Sequence, residues 1–456
     1  MEKKKDEWKP DENKMRTRPA GRLLFTMALP LILSMLVQAV YNVVDSVYVS
    51  QISESAVTAL SLAFPVQNLL IGCAIGVAVG VNSLLSKSLG EGNRAHANIA
   101  AGNGIFLAAI VMVVFMVFGI VGSRPYYTIQ STLAETIEGG TSYVYSCCLF
   151  CGGLLIEVLG ERLLQATGRT VYTLFTQGTG AILNIILDPV FIFGFEPLGI
   201  APMGVAGAAV ATVIGQWVAG IMAVIFNLKC NKEVQFGLKY LRPHGKVMKL
   251  ILAVGIPSMV MMAIGSVMNF AINQILLGFK QYGETPAAVF GVYYKLQSFV
   301  FMPVFGLNNA AITLVAYNYG ARLPQRITKV LKASVTGAFV FMVAGTLLFQ
   351  FAPNLLLMPF DPSADFMDMG MTALRIISFH FPLAAIGIAL SASFQGLGNG
   401  SYSTIISLCR QLIVLVPVTY LLSLSGNIHL VWWAFLISEV VSLALTLLFF
   451  RRIYKA

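Results

Sequence analysis

Of 456 residues, 57% are hydrophobic and only 11% charged, and the mean hydropathy is +0.79. That composition excludes a soluble globular domain and points to a chain that lives in a bilayer. The formal net charge of +10 suits an anionic inner leaflet better than a nucleic-acid groove, so nucleic acid is not an expected partner.

The chain opens with a polar, basic arm, residues 1–22. A small-residue cleavage site after a short apolar core is missing, so the arm is not read as a removed signal peptide. Crossing a hydrocarbon core of about 30 Å takes roughly 20 apolar residues in a helix. Twelve runs meet that demand: 23–50, 57–86, 97–122, 139–164, 170–194, 204–228, 249–277, 286–318, 327–352, 371–396, 402–424 and 429–450. The fold expected is therefore all-α and integral to the membrane, with twelve transmembrane helices. An even count places both termini on one side. At or beside the termini and the loops that follow even-numbered spans fall 25 of the 30 Lys and Arg residues, whereas the opposite loops hold only Arg124 and Lys280. Basic residues resist translocation, so both termini are expected in the cytoplasm.

Span 1 carries Gln38, Tyr41, Asn42 and Asp45 at helical spacing, with Pro30 as a kink. In span 2, Gly72, Gly76 and Gly80 form a small-residue face for close packing. The cysteines lie mostly within spans, and the CxxC of Cys148 and Cys151 lacks a second pair or nearby histidines, so packing rather than metal or redox chemistry is expected. Span 5 contains "NIILDPVFIFG", where Asp188 and Pro189 interrupt an apolar run. A charge at the helix centre costs roughly 2.5–3.5 kcal/mol on insertion scales, so Asp188 needs a polar setting. Asn184 lies one turn earlier on the same face, and Pro189 deprives the Ile185 carbonyl of its helical donor and bends the helix. Asp45 and Asp188 fall at similar depth in the outer half and are expected to meet. In the C-terminal half, Lys295 and Glu439 are read as a buried ion pair. Arg375 is expected to snorkel, and Glu157, Glu161, Arg162 and Arg410 sit toward the cytoplasmic side.

The chain also repeats itself. An offset of 230 brings "SLLSKSLGEGNRAHA" onto "TLVAYNYGARLPQRI", matching Gly90 with Gly320, and "QATGRTVYT" onto "QGLGNGSYS"; an offset of 227 matches Pro30 with Pro257 and Asn42 with Asn269. The organisation expected is an N-lobe, 23–230, a cytoplasmic linker, 231–248, and a C-lobe, 249–456. An even number of spans per repeat relates the two six-helix lobes by a pseudo-two-fold axis along the membrane normal. The same offsets carry Asn184 and Asp188 onto Val414 and Val418, and Asp45 onto Ile272. Coupling chemistry is thus confined to one half.

"LPLILSMLVQAVYNVVDSVYVS", "SLGEGNRAHA", "QATGRT", "NIILDPVFIFG", "GVAGAAVAT", "YYKLQSFVFMPVFGLNNA" and "AYNYGAR" together resemble the bacterial multidrug and toxic compound extrusion (MATE) transporters over nearly the whole chain. The resemblance implies two lobes around a central cavity and drug export driven by proton or sodium influx. In the family's DinF-like branch the cation site uses a span 1 aspartate with a glutamine seven residues before it, a span 5 Asn-xxx-Asp and a span 6 threonine. Those positions read Gln38, Asp45, Asn184, Asp188 and Thr212 here. The other main branch places acidic residues on spans 7, 8 or 10, where this chain has none.

Other classes fit less well. No G-x-x-x-x-G-K-[ST] phosphate loop is present, and neither aspartate sits in the Gly-x-Gly-Asp setting of an intramembrane protease, so no enzymatic activity is expected. A lipid-linked oligosaccharide flippase is the alternative, but a pyrophosphate cargo favours several basic residues in the cavity, and beyond those counted with the loops only Lys295, Arg375 and Arg410 lie within spans. The function expected is alternating-access export of drugs and organic cations from the bacterial cytoplasmic membrane by a monomer surrounded by lipid. Protons would neutralise Asp45 and Asp188, or sodium would bind Asp45, Asn184 and Asp188, with Tyr41 and Asn42 facing the cavity and Pro30 and Pro189 as hinges. No cofactor is expected.

Overall fold

A computed structural model describes residues 13–360 and 363–455, and residues 1–12 of the N-terminal arm lie outside the described residues. No strand occurs among the described residues, only an isolated bridge between Phe195 and Ile200. Ten helices are long and apolar enough to cross a membrane, and two bent pairs bring the number to twelve. Span 1 is Ala20–Ser50, span 2 Glu54–Gly90, span 3 Arg94–Gln130, span 5 Val171–Ile192 and span 6 Val205–Cys230. Span 7 is Gly245–Leu277, span 8 Thr285–Gly320, span 9 Pro324–Phe351, span 11 Gly400–Ser423 and span 12 Ile428–Ile453.

The two bent spans are span 4, Ala134–Leu149 with Gly152–Ala166, and span 10, Ala364–Ser378 with Phe381–Gly396, each turning by 47°. A single continuous span is expected from the sequence at each. In span 4 the break falls at Phe150 and Cys151, just before the consecutive Gly152 and Gly153, the weakest helix formers after proline. In span 10 it precedes Pro382, which cannot donate to the Ser378 carbonyl. Thr346 donates to that oxygen instead, at 3.1 Å, and His380 Nδ1 lies 2.6 Å from the Ile377 carbonyl, so the broken turn keeps hydrogen-bond partners. Ala134 and Ala364 are 230 residues apart, the spacing of the sequence repeat.

The chain divides into two compact units. One comprises the segment ending at Arg18, Leu33–Met259 and Ala316–Arg322; the other comprises Pro19–Ile32, Val260–Val315 and the chain from Leu323 onward. Neither unit is a continuous half of the chain: the first takes in Ala316–Arg322 and the second takes in Pro19–Ile32. Span 1 changes units two residues after Pro30, and span 7 two residues after Pro257. Both prolines lie within continuous helices, so each sits two residues before its helix passes from one unit to the other.

Close helix crossings repeat with the same offsets. In the first unit, a Cβ on Gly76 would collide with Met259 and the Gly255 carbonyl, and one on Gly80 with the Ile251 carbonyl. In the second unit, a Cβ on Gly306 would meet Ile32 Cγ1 at 2.7 Å. Gly76 and Gly306 differ by 230, Ile32 and Met259 by 227, so the contacts are the same crossing repeated. A further crossing inside the first unit is its own repeat: a Cβ on Gly90 would strike the Tyr317 carbonyl, and one on Gly320 the Lys87 carbonyl.

The N-terminal arm packs onto the first unit. Asn13 caps a single helical turn, Lys14–Thr17, by accepting from the Met15 amide. Met15 is fully buried, and Lys14 Nζ donates to the Gly168 carbonyl at 2.7 Å. Burial, aided by Arg169, holds the Lys14 ammonium pKa below its ordinary value.

Candidate functional site: an oxygen cluster in the N-terminal half

Glycine contacts between spans 5 and 6 build the site. A Cβ on Gly215 would meet the Gly180 carbonyl at 2.9 Å, and one on Gly180 would meet Ala219 at 3.2 Å. Backbones this close bring Thr212, one turn before Gly215, against Asn184. Asn184 Nδ2 lies 3.2 Å from Thr212 Oγ1 and 3.3 Å from Asp188 Oδ1, donating toward both. Asn184 and Asp188 are both buried. The turn from Asn184 to Asp188 is the i to i+4 spacing of a helix face, and Pro189 follows inside the same helix.

Asp45 comes from span 1. It lies within Coulombic range of Asp188, and Tyr41 lies within range of Asp45, Asp188 and Glu157. Asp45 Oδ1, Asp188 Oδ2 and Asn184 Oδ1 are buried without a hydrogen-bond partner. Buried polar atoms normally find partners, and these three oxygens, two on successive turns of span 5 and one on span 1, are left with none. Two carboxylates, an amide oxygen and a hydroxyl are hard donors that suit a proton or a small alkali cation. No group of three or more His, Cys, Asp or Glu suited to a metal ion occurs among the described residues.

Asp45, Asn184, Asp188, Thr212 and Tyr41 thus gather in one neighbourhood. Gln38 is exposed and stands outside the hydrogen-bonded set. The Asn42 side chain lies outside the described residues. Pro30 is buried and Pro189 half-buried, each inside its helix. Toward the other end of span 5, Glu161 accepts from Thr176 Oγ1 at 2.5 Å and from Gln177 Nε2 at 2.8 Å, deep within the protein. From the sequence, Glu161 is placed toward the cytoplasmic side with no partner named. Thr173, Thr176 and Gln177 recur on span 5 at the same period as Asn184 and Asp188, which was the signal for its polar surroundings.

The second half holds a different ion pair from the one expected. Glu439, almost fully buried, faces Arg410 at 3.7 Å, while Lys295 is exposed on span 8. The reason lies in the winding of span 11. Residues Cys409–Leu415 form a π-helix ahead of Pro417, and Ser438 donates to the Arg410 carbonyl. Adjacent residues of span 12 therefore hold Arg410 by its backbone and by its guanidinium. Truncating Arg410 strands a buried carboxylate, which costs about 3–5 kcal/mol in fully buried pairs; with the Arg410 side chain 23% exposed, screening reduces this to roughly 2 kcal/mol. Arg410→Ala is expected to lower the thermal midpoint in detergent, and Arg410→Ala/Glu439→Gln to recover most of the loss. A double variant no more stable than Arg410→Ala would contradict the pairing.

Comparison with known proteins agrees with this architecture. A family model described as MatE matches residues 30–190 and 257–421. The two matches begin at Pro30 and Pro257, the prolines that the offset of 227 superposes. The multidrug export protein MepA of Staphylococcus aureus is 24% identical over 427 residues, covering 92% of this chain and 91% of the relative. MepA of Staphylococcus saprophyticus is 23% identical over 416 residues, covering 91% and 90%. Among solved structures, an outward-facing multidrug resistance MATE family transporter of the MOP superfamily matches with a TM-score of 0.89 at 24% identity, covering 96% of this chain and 97% of that one. A MATE structure in the bent conformation matches with a TM-score of 0.85 at the same identity and coverage.

Proposed function

The chain belongs to the MatE family, and on that premise we propose that it is a multidrug efflux antiporter that exchanges lipophilic cations for protons or sodium ions by alternating access. As a multi-pass membrane transporter it carries cargo and transforms none. The observation behind the coupling reading is the set of buried, unpartnered oxygens on Asp45, Asn184 and Asp188. Carboxylates kept inside a membrane without a cationic partner are expensive, and such groups mark ion pathways.

In the cycle we propose, a cation from outside loads onto Asp45 and Asp188 and removes their negative charge, with Asn184 and Thr212 orienting the pair. Sodium would use the same oxygens. Neutralisation frees span 1 to bend at Pro30, drug is released outward, and the coupling ion leaves to the cytoplasm. The protein then works as a monomer in a bacterial cytoplasmic membrane, with both termini cytoplasmic. Before cation loading the pair is negative, and in a low-dielectric site that potential favours aromatic monocations held by apolar contact and diffuse attraction. Ethidium and quaternary ammonium biocides are the concrete cargo class.

Expression in an efflux-deficient bacterium is expected to raise resistance to these cations, and Asp45→Asn is expected to remove the protection. Protection against none of them, with restored growth when a lipid-linked precursor flippase is depleted, would replace drug export with lipid flipping.

A further inference from the structure

Spans 3, 4 and 6 enclose a cavity of about 420 Å³ that the coupling site does not use. Its walls include Ile105 and Met112 of span 3, Leu159 of span 4, Leu228 of span 6 and Phe236 of the linker. Asn227 is the one polar side chain among them, and its Nδ2 donates to the Gly160 and Ala223 carbonyls, each at 2.8 Å. Among the described residues, no charged side chain lines it. Glu161, on the same segment of span 4, is engaged by Thr176 and Gln177 of span 5.

The cavity is open on its outer side, where Ile105, Ile156, Val224 and Leu228 are exposed, Leu228 by 65%. In a bilayer those side chains face hydrocarbon. Along span 4 the lining runs from Gly152 to Leu163, a rise of roughly 16 Å at about 1.5 Å per residue. That is half of a hydrocarbon core about 30 Å thick, the depth reached by one acyl chain.

The polar end of the cavity is basic. On span 3 the face that presents Met112, Ala108 and Ile105 continues to Asn98 and Arg94. Arg94 donates to the carbonyls of Lys232 and Glu233, and Asn98 accepts from the Gln235 amide at 2.8 Å, which bends the linker over this end and brings Phe236 to the cavity wall. Lys229 and Lys232, both exposed, follow Leu228 within four residues.

We propose that this cavity is a binding site for one anionic glycerophospholipid of the leaflet at the basic end, an acyl chain filling the groove and the phosphate meeting Lys229 and Lys232. An uncharged, lipid-facing groove suits a hydrocarbon tail. A cationic drug would find no carboxylate there, and a zwitterionic lipid would gain little from the two lysines.

The test is native mass spectrometry of the full-length protein in mild detergent, supplied with phosphatidylglycerol or phosphatidylcholine. Phosphatidylglycerol is expected to be retained in preference by about fivefold or more, the effect of one basic residue near an anionic surface. Ala109→Trp, at an exposed lining position, is expected to abolish retention of both lipids. Lys229→Glu/Lys232→Glu, which leaves the apolar walls intact, is expected to erase the preference while tail binding persists. Equal retention of the two lipids by the unaltered protein, or an unchanged preference after the charge reversal, would overturn the proposal. Displacement of the lipid by ethidium would make the groove a cargo site instead. None of these readouts requires transport, so they stand apart from the antiport reading.

Discussion

Asp188→Asn is expected to abolish cation-coupled efflux while leaving the fold intact. Coupling free energies between sites typically correspond to about 5- to 150-fold changes, so removal of a carboxylate that must gain and lose a cation should cut coupled transport at least tenfold. Stability should not fall. The amide is nearly isosteric with the carboxylate, its oxygen can still accept from Asn184, and it removes a buried charge whose second oxygen has no partner. A structural residue would behave in the opposite way, because breaking a needed hydrogen bond lowers the thermal midpoint before it alters coupling. Purified Asp188→Asn with full ion-coupled efflux would sink the assignment; so would a collapse in stability that alone accounted for the lost activity.

Gly90→Val is expected to weaken the packing of spans 2 and 8 as strongly as any single change outside the ion sites. The added side chain would meet the Tyr317 carbonyl, which is backbone and cannot rotate aside. Overpacking of this kind costs about 1–3 kcal/mol. Gly320→Val should cost a similar amount against the Lys87 carbonyl, because the repeat makes the two contacts equivalent. The double variant should be less destabilising than the two penalties added, since one separation of the helices relieves both clashes. Strict additivity in thermal unfolding would show that the two glycines do not share one crossing.

Much of this architecture was legible in the sequence because bilayer physics writes long, simple signals. Twelve apolar runs, the offsets that match Pro30 with Pro257 and Gly90 with Gly320, and the Asn184 to Asp188 turn all follow from length, period and charge. Features that depend on interruptions were harder to read. The bends in spans 4 and 10 arise from a glycine pair and a proline within long, mostly apolar runs, and hydropathy averages across both. The partner of Glu439 was misjudged because Lys295 was matched to it by depth in the bilayer alone, whereas Arg410, within the π-helical stretch Cys409–Leu415 of span 11, is the cation that faces it. The exchange of segments between units was also hidden: sequence separates the two halves of the repeat but does not reveal that a helix leaves one core for the other just after Pro30 or Pro257. For the oxygen cluster, Asn184 and Asp188 were legible from their spacing, while the backbone contact between Gly180 and Gly215 that brings Thr212 to Asn184 was not.

Exchange across a sealed membrane tests coupled export most directly. The purified protein would be reconstituted into proteoliposomes and outward movement of ethidium followed while proton or sodium gradients are imposed singly. Coupled export predicts that an inward gradient of at least one of the two ions drives ethidium against its own gradient, that added ethidium drives the reverse flux of that ion, and that both fluxes vanish in Asp188→Asn. Ethidium movement indifferent to both gradients, or unchanged coupling in Asp188→Asn, would contradict it.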